Sequence, residues 1–226
     1  RTKMIVAQHS FGIPCNISEI VKLGKRYGIF VLEDCAITLD SSVNGIKVGN
    51  WADAAIFSTD HTKPLNTLIG GFLYTKDKTL YDKIKIFSEN LPDLSKVHQR
   101  RLYNQFIFER TNFQPTHYPR AKLIDYINLF TKKLRGKSSS VFLEADYKKH
   151  PMSNTDYPYP AKMPSFLSKI GIFELERWDN EKIKRKKLLN EYISITAQSR
   201  FDRYLSKAYF DPNLDIVPLR FVFQHR

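Results

Sequence analysis

Four consecutive apolar residues, Ile29-Phe30-Val31-Leu32, run directly into two acids, Glu33 and Asp34. A run that short and that apolar suits a strand in the middle of a sheet covered on both faces. Carboxylates immediately behind it fall at the strand's carboxyl end, where open α/β sheets bind their ligands. The residues in front show how this strand is reached. Met4 to Ala7 is an earlier apolar run, and residues 9 to 16, with Gly12, Pro14 and Asn16, read as a loop. Ser18 can cap a helix that carries Ile20, Val21 and Leu23 and stops before Gly28, a good terminator. Strand, helix, strand is the crossover unit of a parallel sheet. The expected fold class is therefore α/β, a mainly parallel sheet flanked by helices.

The pattern continues past the acids. Asn44-Gly45 is a turn signal, a third strand follows around Ala54 to Phe57, and Gly70-Gly71 opens a fourth at Phe72 to Tyr74. A helix is expected to begin near Asp77. From about residue 90 to 160 prolines recur, with Lys132 to Lys137 followed by three serines, so short helices joined by loops are expected. Phe166, Ile170 and Phe173 then fall at helical spacing, and helical character runs to about Ile195. Ile216 to Phe223 reads as a strand of a separate smaller unit. The expected division is 1–160, with a helical insertion from about 90, and 161–226, a helix with part of a smaller C-terminal α/β unit.

Composition narrows the function classes. With 226 residues and 13% aromatics the chain can bury a core and is not a disordered linker. No run nears the roughly 18 apolar residues of a membrane span. The chain opens on Arg1-Thr2-Lys3 rather than a signal peptide, and on Arg rather than Met, as a piece of a longer protein would. Its two cysteines cannot build a disulfide framework or a four-cysteine metal site, so no metal is expected and a reduced, cytoplasmic setting is. The net charge of +13 is concentrated late: residues 1–90 carry 11 basic and 9 acidic side chains, the remainder 25 and 14. The densest run, Lys182 to Lys187, reads as a solvated helix face. It lacks the interleaved aromatics of a nucleic-acid platform, and no nucleic-acid partner is expected.

Three loops behind three strands hold the chemistry. Asp34 follows the second strand, Ser58 ends the third, and Lys63 comes five residues later with Pro64 behind it to stiffen the loop. Alone, the acid is as well read as a cap or a surface ion pair, and the lysine as plain solvent exposure. Together they place an acid, a hydroxyl and an amine at one sheet edge.

The segments His9-Ser10-Phe11-Gly12, Val31 to Ala36, Asn44 to Ser58 and Thr62-Lys63 with Gly70-Gly71 resemble the DegT/StrS-type sugar aminotransferases, which use pyridoxal phosphate within the aspartate-aminotransferase fold group. From Glu33 to Lys63 order and spacing agree without a gap. A weaker likeness covers residues 162 to 178. The resemblance implies the large-domain fold of pyridoxal-phosphate transferases. It also implies a transaminase that moves an amino group, with glutamate as donor, to a nucleotide-linked keto sugar for polysaccharide or amino-sugar synthesis, working as a homodimer. Lys63 would hold the cofactor aldehyde as an imine, which masks an amine whose pKa is ordinarily about 10.4. Asp34 would pair with the pyridine nitrogen, favouring its protonated form by about 1–3 pKa units, or about 1.4–4 kcal/mol. Ala36 would lie against the ring face, Ser58 would bind the phosphate, and His9 would reach the phenolic oxygen.

The chain also departs from the family. Ile37 stands where Gln or His is usual, and an isoleucine cannot hydrogen-bond the ring oxygen. Tyr157-Pro158-Tyr159-Pro160-Ala161 replaces an Asn-containing loop that reaches the neighbouring subunit's phosphate. The chain is expected to be a fragment that lacks the family's region ahead of residue 1, which supplies a phosphate-binding helix N-terminus and a stacking aromatic, and part of the C-terminal small domain. Phe106, Phe108, Phe113 and Tyr118 offer apolar surface for a second subunit. Two other functions fit less well. One is a sugar dehydratase of the same fold, which has His in place of the cofactor lysine. The other is a silent relative that binds a partner.

Overall fold

A computed structural model describes residues 1–112 and 160–224, with isolated positions between. The expectations for Phe113, Tyr118, residues 132–140 and residues 157–159 lie outside the described residues. One compact unit comprises residues 1–88 and 166–226, another residues 89–165.

The first unit is built on the crossover that the sequence spells out. Strand β1 (Met4–Gln8) leads to helix α1 (Ile17–Tyr27) and back to β2 (Phe30–Asp34). Helix α1 begins two residues earlier than Ser18 implies: Asn16 is the N-cap, and Ser18 lies inside. It ends at Gly28, whose φ of 59° is left-handed, and the Ile29 amide folds back onto the Gly24 carbonyl at 2.9 Å. The main sheet has the order β1-β2-β5-β6, with β5 (Ala54–Ser58) parallel to β2 and β6 (Gly71–Tyr74) antiparallel to β5. A small second sheet joins β3 (Ser42–Val43), β4 (Ile46–Lys47) and β7 (Leu214–Asp215).

Parallel pairing puts Ala7 beside Glu33 and Ile5 beside Val31, so these share one sheet face. Ile17 and Val21 of α1 pack on that face against Ala7 and Val31. The other face carries Met4, Val6, Phe30 and Leu73, which are 48%, 51%, 36% and 41% exposed. The expectation of a strand covered on both sides thus holds for one side among the described residues. An apolar run reports what a strand can bury, not what packs on it.

Helix α2 (Lys78–Glu89) starts at Asp77, whose Oδ1 accepts from the Thr79 and Leu80 amides. The basic region near the end forms one long helix, α4 (Ser165–Ala197). In the other unit, α3 (Lys96–Asn112) begins at Ser95 and buries Leu102, and the Lys162 amide donates to the Pro92 carbonyl at 2.9 Å.

The C-terminal segment departs from its expectation. Only Leu214 and Asp215 are strand, and residues 216 to 219 pack back on the first unit instead of starting another. Val217 is buried against Leu65 and Trp178, its amide donates to Ser41 Oγ at 2.9 Å, and the Leu219 amide donates to the Phe11 carbonyl at 3.1 Å. An apolar run that finds side-chain and loop acceptors has no need of a strand partner. The compact units accordingly cut the chain differently from a boundary at 160/161.

Candidate active site

Strands β1, β2 and β5 end side by side at Gln8, Asp34 and Ser58. Gln8 pairs with Asp34 and Asp34 with Ile56. Side chains alternate along a strand, so Ser58, two residues beyond Ile56, lies on the same face as Asp34. The half-buried Asp34 turns one oxygen back on its own chain, where Oδ1 accepts the Ala36 amide at 3.0 Å. Its other oxygen has no partner among the described residues. Ser58 Oγ accepts only a long bond, 3.4 Å, from the Asp60 amide. Ala36 and Ile37 are half-buried just behind Asp34.

Lys63 sits in the loop that returns from β5 to β6. The Thr59 amide donates to Gly70 O, the His61 amide to Leu68 O and the Thr67 amide to Thr59 O, so the loop closes on itself. Thr67 Oγ1 adds bonds to Thr59 Oγ1 at 2.6 Å and Ile69 O at 2.8 Å. Within it, Asp60 organises a turn, its carbonyl taking the Lys63 amide and its Oδ1 the Thr62 amide. Leu65 anchors the loop in a cluster with Trp178 and Val217. Buried Leu68 has φ of 69°, a backbone region that a branched side chain rarely adopts. Lys63 itself is half-buried, and its amine has no ion pair among the described residues.

His9 is placed elsewhere. It is fully buried with both ring nitrogens engaged: Nε2 lies 3.1 Å from Glu33 Oε2, and Nδ1 accepts the Cys15 amide at 3.1 Å. A ring so bonded has no atom left for a cofactor's phenolic oxygen, and His9 leaves the cofactor set. Its partner is the residue that sequence reasoning passed over. Glu33 is completely buried, and its carboxylate also accepts the amides of Gly49 at 2.7 Å, Trp51 at 2.8 Å and Ala52 at 2.9 Å. Burial works against its ionisation, but the His9 ring and the three amides outweigh it and hold Glu33 below the usual carboxylate range. A signal was available. Adjacent strand residues face opposite ways, so two consecutive acids cannot both serve one site.

His9, Glu33 and Cys35 bring their ligating atoms within 4.8 Å of one another. Their hydrogen bonds argue against a metal there. Nδ1 accepts the hydrogen bond of the Cys15 amide, so the ring's own proton is on Nε2, the atom a metal would need. Both Glu33 oxygens already take amide protons, and burial pushes the Cys35 thiol up, keeping it protonated. The trio is a hydrogen-bonded anchor beneath the sheet.

No helix of the described residues is long and apolar enough to cross a membrane. The basic run of α4 is largely paired: Lys182 with Asp40 and Asp179, Lys184 with Glu181, Lys186 with Asp215.

Comparison with solved structures finds the same fold in aminotransferases. An aminotransferase from Helicobacter pylori, PseC, involved in the biosynthesis of pseudoaminic acid, matches 99% of this chain and 45% of its own with a TM-score of 0.60 at 18% identity. One from Psychrobacter cryohalolentis matches 96% and 46%, also at 0.60 and 18%. At that identity the likeness shows the fold, an α/β aminotransferase fold. Residues 1–105 match the model of the DegT/DnrJ/EryC1/StrS aminotransferase family. Over 83 residues the chain is 42% identical to GDP-perosamine synthase of Escherichia coli O157:H7, covering 37% of this chain and 23% of that protein. It is 39% identical over 88 residues to the spore coat polysaccharide biosynthesis protein SpsC of Bacillus subtilis, covering 39% and 23%. The chain spans about a quarter of the length of the curated relatives it matches.

Proposed function

We propose that the protein to which these residues belong is a pyridoxal-phosphate-dependent transaminase. It transfers an amino group, with glutamate as donor, to a nucleotide-linked keto sugar in cell-surface polysaccharide or amino-sugar synthesis. The observation that carries the reading is the shared face of Asp34 and Ser58 at the sheet's carboxyl edge, with Lys63 in the closed loop directly behind. The relatives named above support the substrate class. The residues suit the cofactor: Asp34 keeps one carboxylate oxygen without a partner among the described residues, and Ala36 beside it is small.

Bound cofactor would supply an electron sink for the carbanion formed at the amino carbon. Lys63 would hold the cofactor through its Nζ, and its amine is the group that would carry a proton at the reacting carbons. Asp34 would favour the protonated ring nitrogen through its unbonded oxygen. Ala36 would give the ring room and Ser58 would donate to the phosphate. Ile37 offers the phenolic oxygen nothing, and His9, bonded elsewhere, does not replace it. The protein works in the cytoplasm as a homodimer with the site near the subunit boundary.

Lys63→Ala in the full-length protein tests the assignment. The wild type should show visible cofactor absorption, and borohydride should leave a mass adduct on the peptide containing Lys63. The variant should lack both while keeping its circular dichroism. Unchanged absorption and unchanged transamination in the variant would refute Lys63. A wild type with no adduct would favour the silent relative.

A further inference from the structure

We infer that the buried pair Glu33 and His9 is a positioning device for Asp34, setting where its carboxylate stands beneath the cofactor's ring nitrogen. The inference rests on the proposed function and assigns the pair a part in it.

Two chain segments converge on the Glu33 carboxylate. His9, just past β1, grips the end of β2 twice: its main-chain amide donates to the Asp34 carbonyl at 3.0 Å, and its ring reaches Glu33 at 3.1 Å. The amides of Gly49, Trp51 and Ala52 come from the lead into β5. That strand pairs with β2 through Ile56 and Asp34, and the Cys35 amide donates to the Ile56 carbonyl at 2.9 Å. Asp34 is the next residue after Glu33 and points to the opposite face. Its Oδ1 is tied by the Ala36 amide, so its remaining freedom is that of the β2 end, which Glu33 holds from below.

Only a carboxylate does this. It accepts on both oxygens, whereas glutamine has one oxygen and would turn an NH₂ toward amide protons. Glu33→Gln therefore loosens β2 at Asp34 without touching the site itself. A shift of about 1 Å in a group that must be aligned can cost about 100-fold in rate.

The test uses the full-length protein, with Val31→Ala as control. Val31 is buried on the same face of the same strand, so its truncation lowers stability without removing a bond to Glu33. In unloaded Glu33→Gln, amide exchange at Gly49, Trp51 and Ala52 should quicken. With cofactor bound, the pH at which the ring nitrogen loses its proton should fall by about one unit, a ten-fold weaker hold on the proton. The rate kcat should drop by up to about 100-fold with little change in donor KM. Val31→Ala should melt earlier yet keep the wild-type pH midpoint. His9→Gln, which leaves Glu33 its three amides, should shift the midpoint the same way by less. The proposal is overturned if neither variant at Glu33 or His9 moves the midpoint, or if Val31→Ala moves it equally. A wild type that takes up no cofactor overturns the functional reading and this proposal with it. Normal uptake with unshifted variants overturns this proposal alone.

Discussion

The carbonyl oxygen of Val217 comes within 2.4 Å of where a side-chain carbon on Gly12 would sit, and Pro218 Cα within 2.7 Å. Gly12 also has φ of 96°, outside the range of other residues. Its amide donates to Thr38 Oγ1 at 3.1 Å and its carbonyl accepts from Ser41 Oγ at 2.7 Å, so it cannot swing aside. Gly12→Ala should cost about 3 kcal/mol from crowding and backbone strain together. Urea unfolding would read this as a lower midpoint with an unchanged slope, and an unchanged midpoint would mean that the C-terminal segment does not pack here. At the same scale, the neighbours Glu33 and Asp34 divide labour by facing opposite sides of one strand.

Among the elements, α4 is held to the loop after β2 by one aspartate. Asp40 accepts from Lys182 Nζ at 2.7 Å and Trp178 Nε1 at 3.3 Å, and pairs with Lys47 on β4. Burial disfavours its charge, but the two lysines prevail and hold its pKa below the ordinary value. A depressed carboxyl pKa contributes stability above the unfolded-state value of about 3.9, and that contribution is lost as pH falls through the folded-state value. Asp40→Asn should therefore cost about 1–3 kcal/mol near neutral pH. The difference should shrink only as pH falls below about 3.9 and vanish once pH has passed the lower folded-state value, where the wild-type carboxyl is itself protonated. Thermal melts across that range would show it. Parallel curves would mean that the ion pairs contribute nothing.

For the molecule as a whole, the decisive feature is the sheet face that carries Met4, Val6, Phe30 and Leu73 in the open. Apolar side chains gathered on a sheet face bind hydrophobic dyes and favour association. Residues 1–226 prepared alone should bind an anilinonaphthalene dye, and Val6→Glu with Phe30→Glu should remove most of the fluorescence. Equal fluorescence in both would place the dye elsewhere. The homodimer is tested on the full-length protein by sedimentation with cofactor bound. A monomer fully active at low concentration would refute a shared site while leaving Lys63 and Asp34 untouched.

The order of the main-sheet strands and their helices through residue 89, the Gly28 helix end and the long C-terminal helix were legible because each depends on local rules: apolar period, turn residues and terminators; the two-residue strands β3 and β4 were too short to leave such a pattern. Asp34, Ser58 and Lys63 were legible as candidates because strand ends can be located from the same pattern. The tasks of Glu33 and His9 were not, since hydrogen bonds between residues 24 and 16 apart leave no mark on local spacing. Nor was the fate of Ile216 to Leu219. An apolar run records only that a segment will leave water, and the partners that receive it, here Ser41, Leu65 and Trp178, are decided by the packing of distant elements.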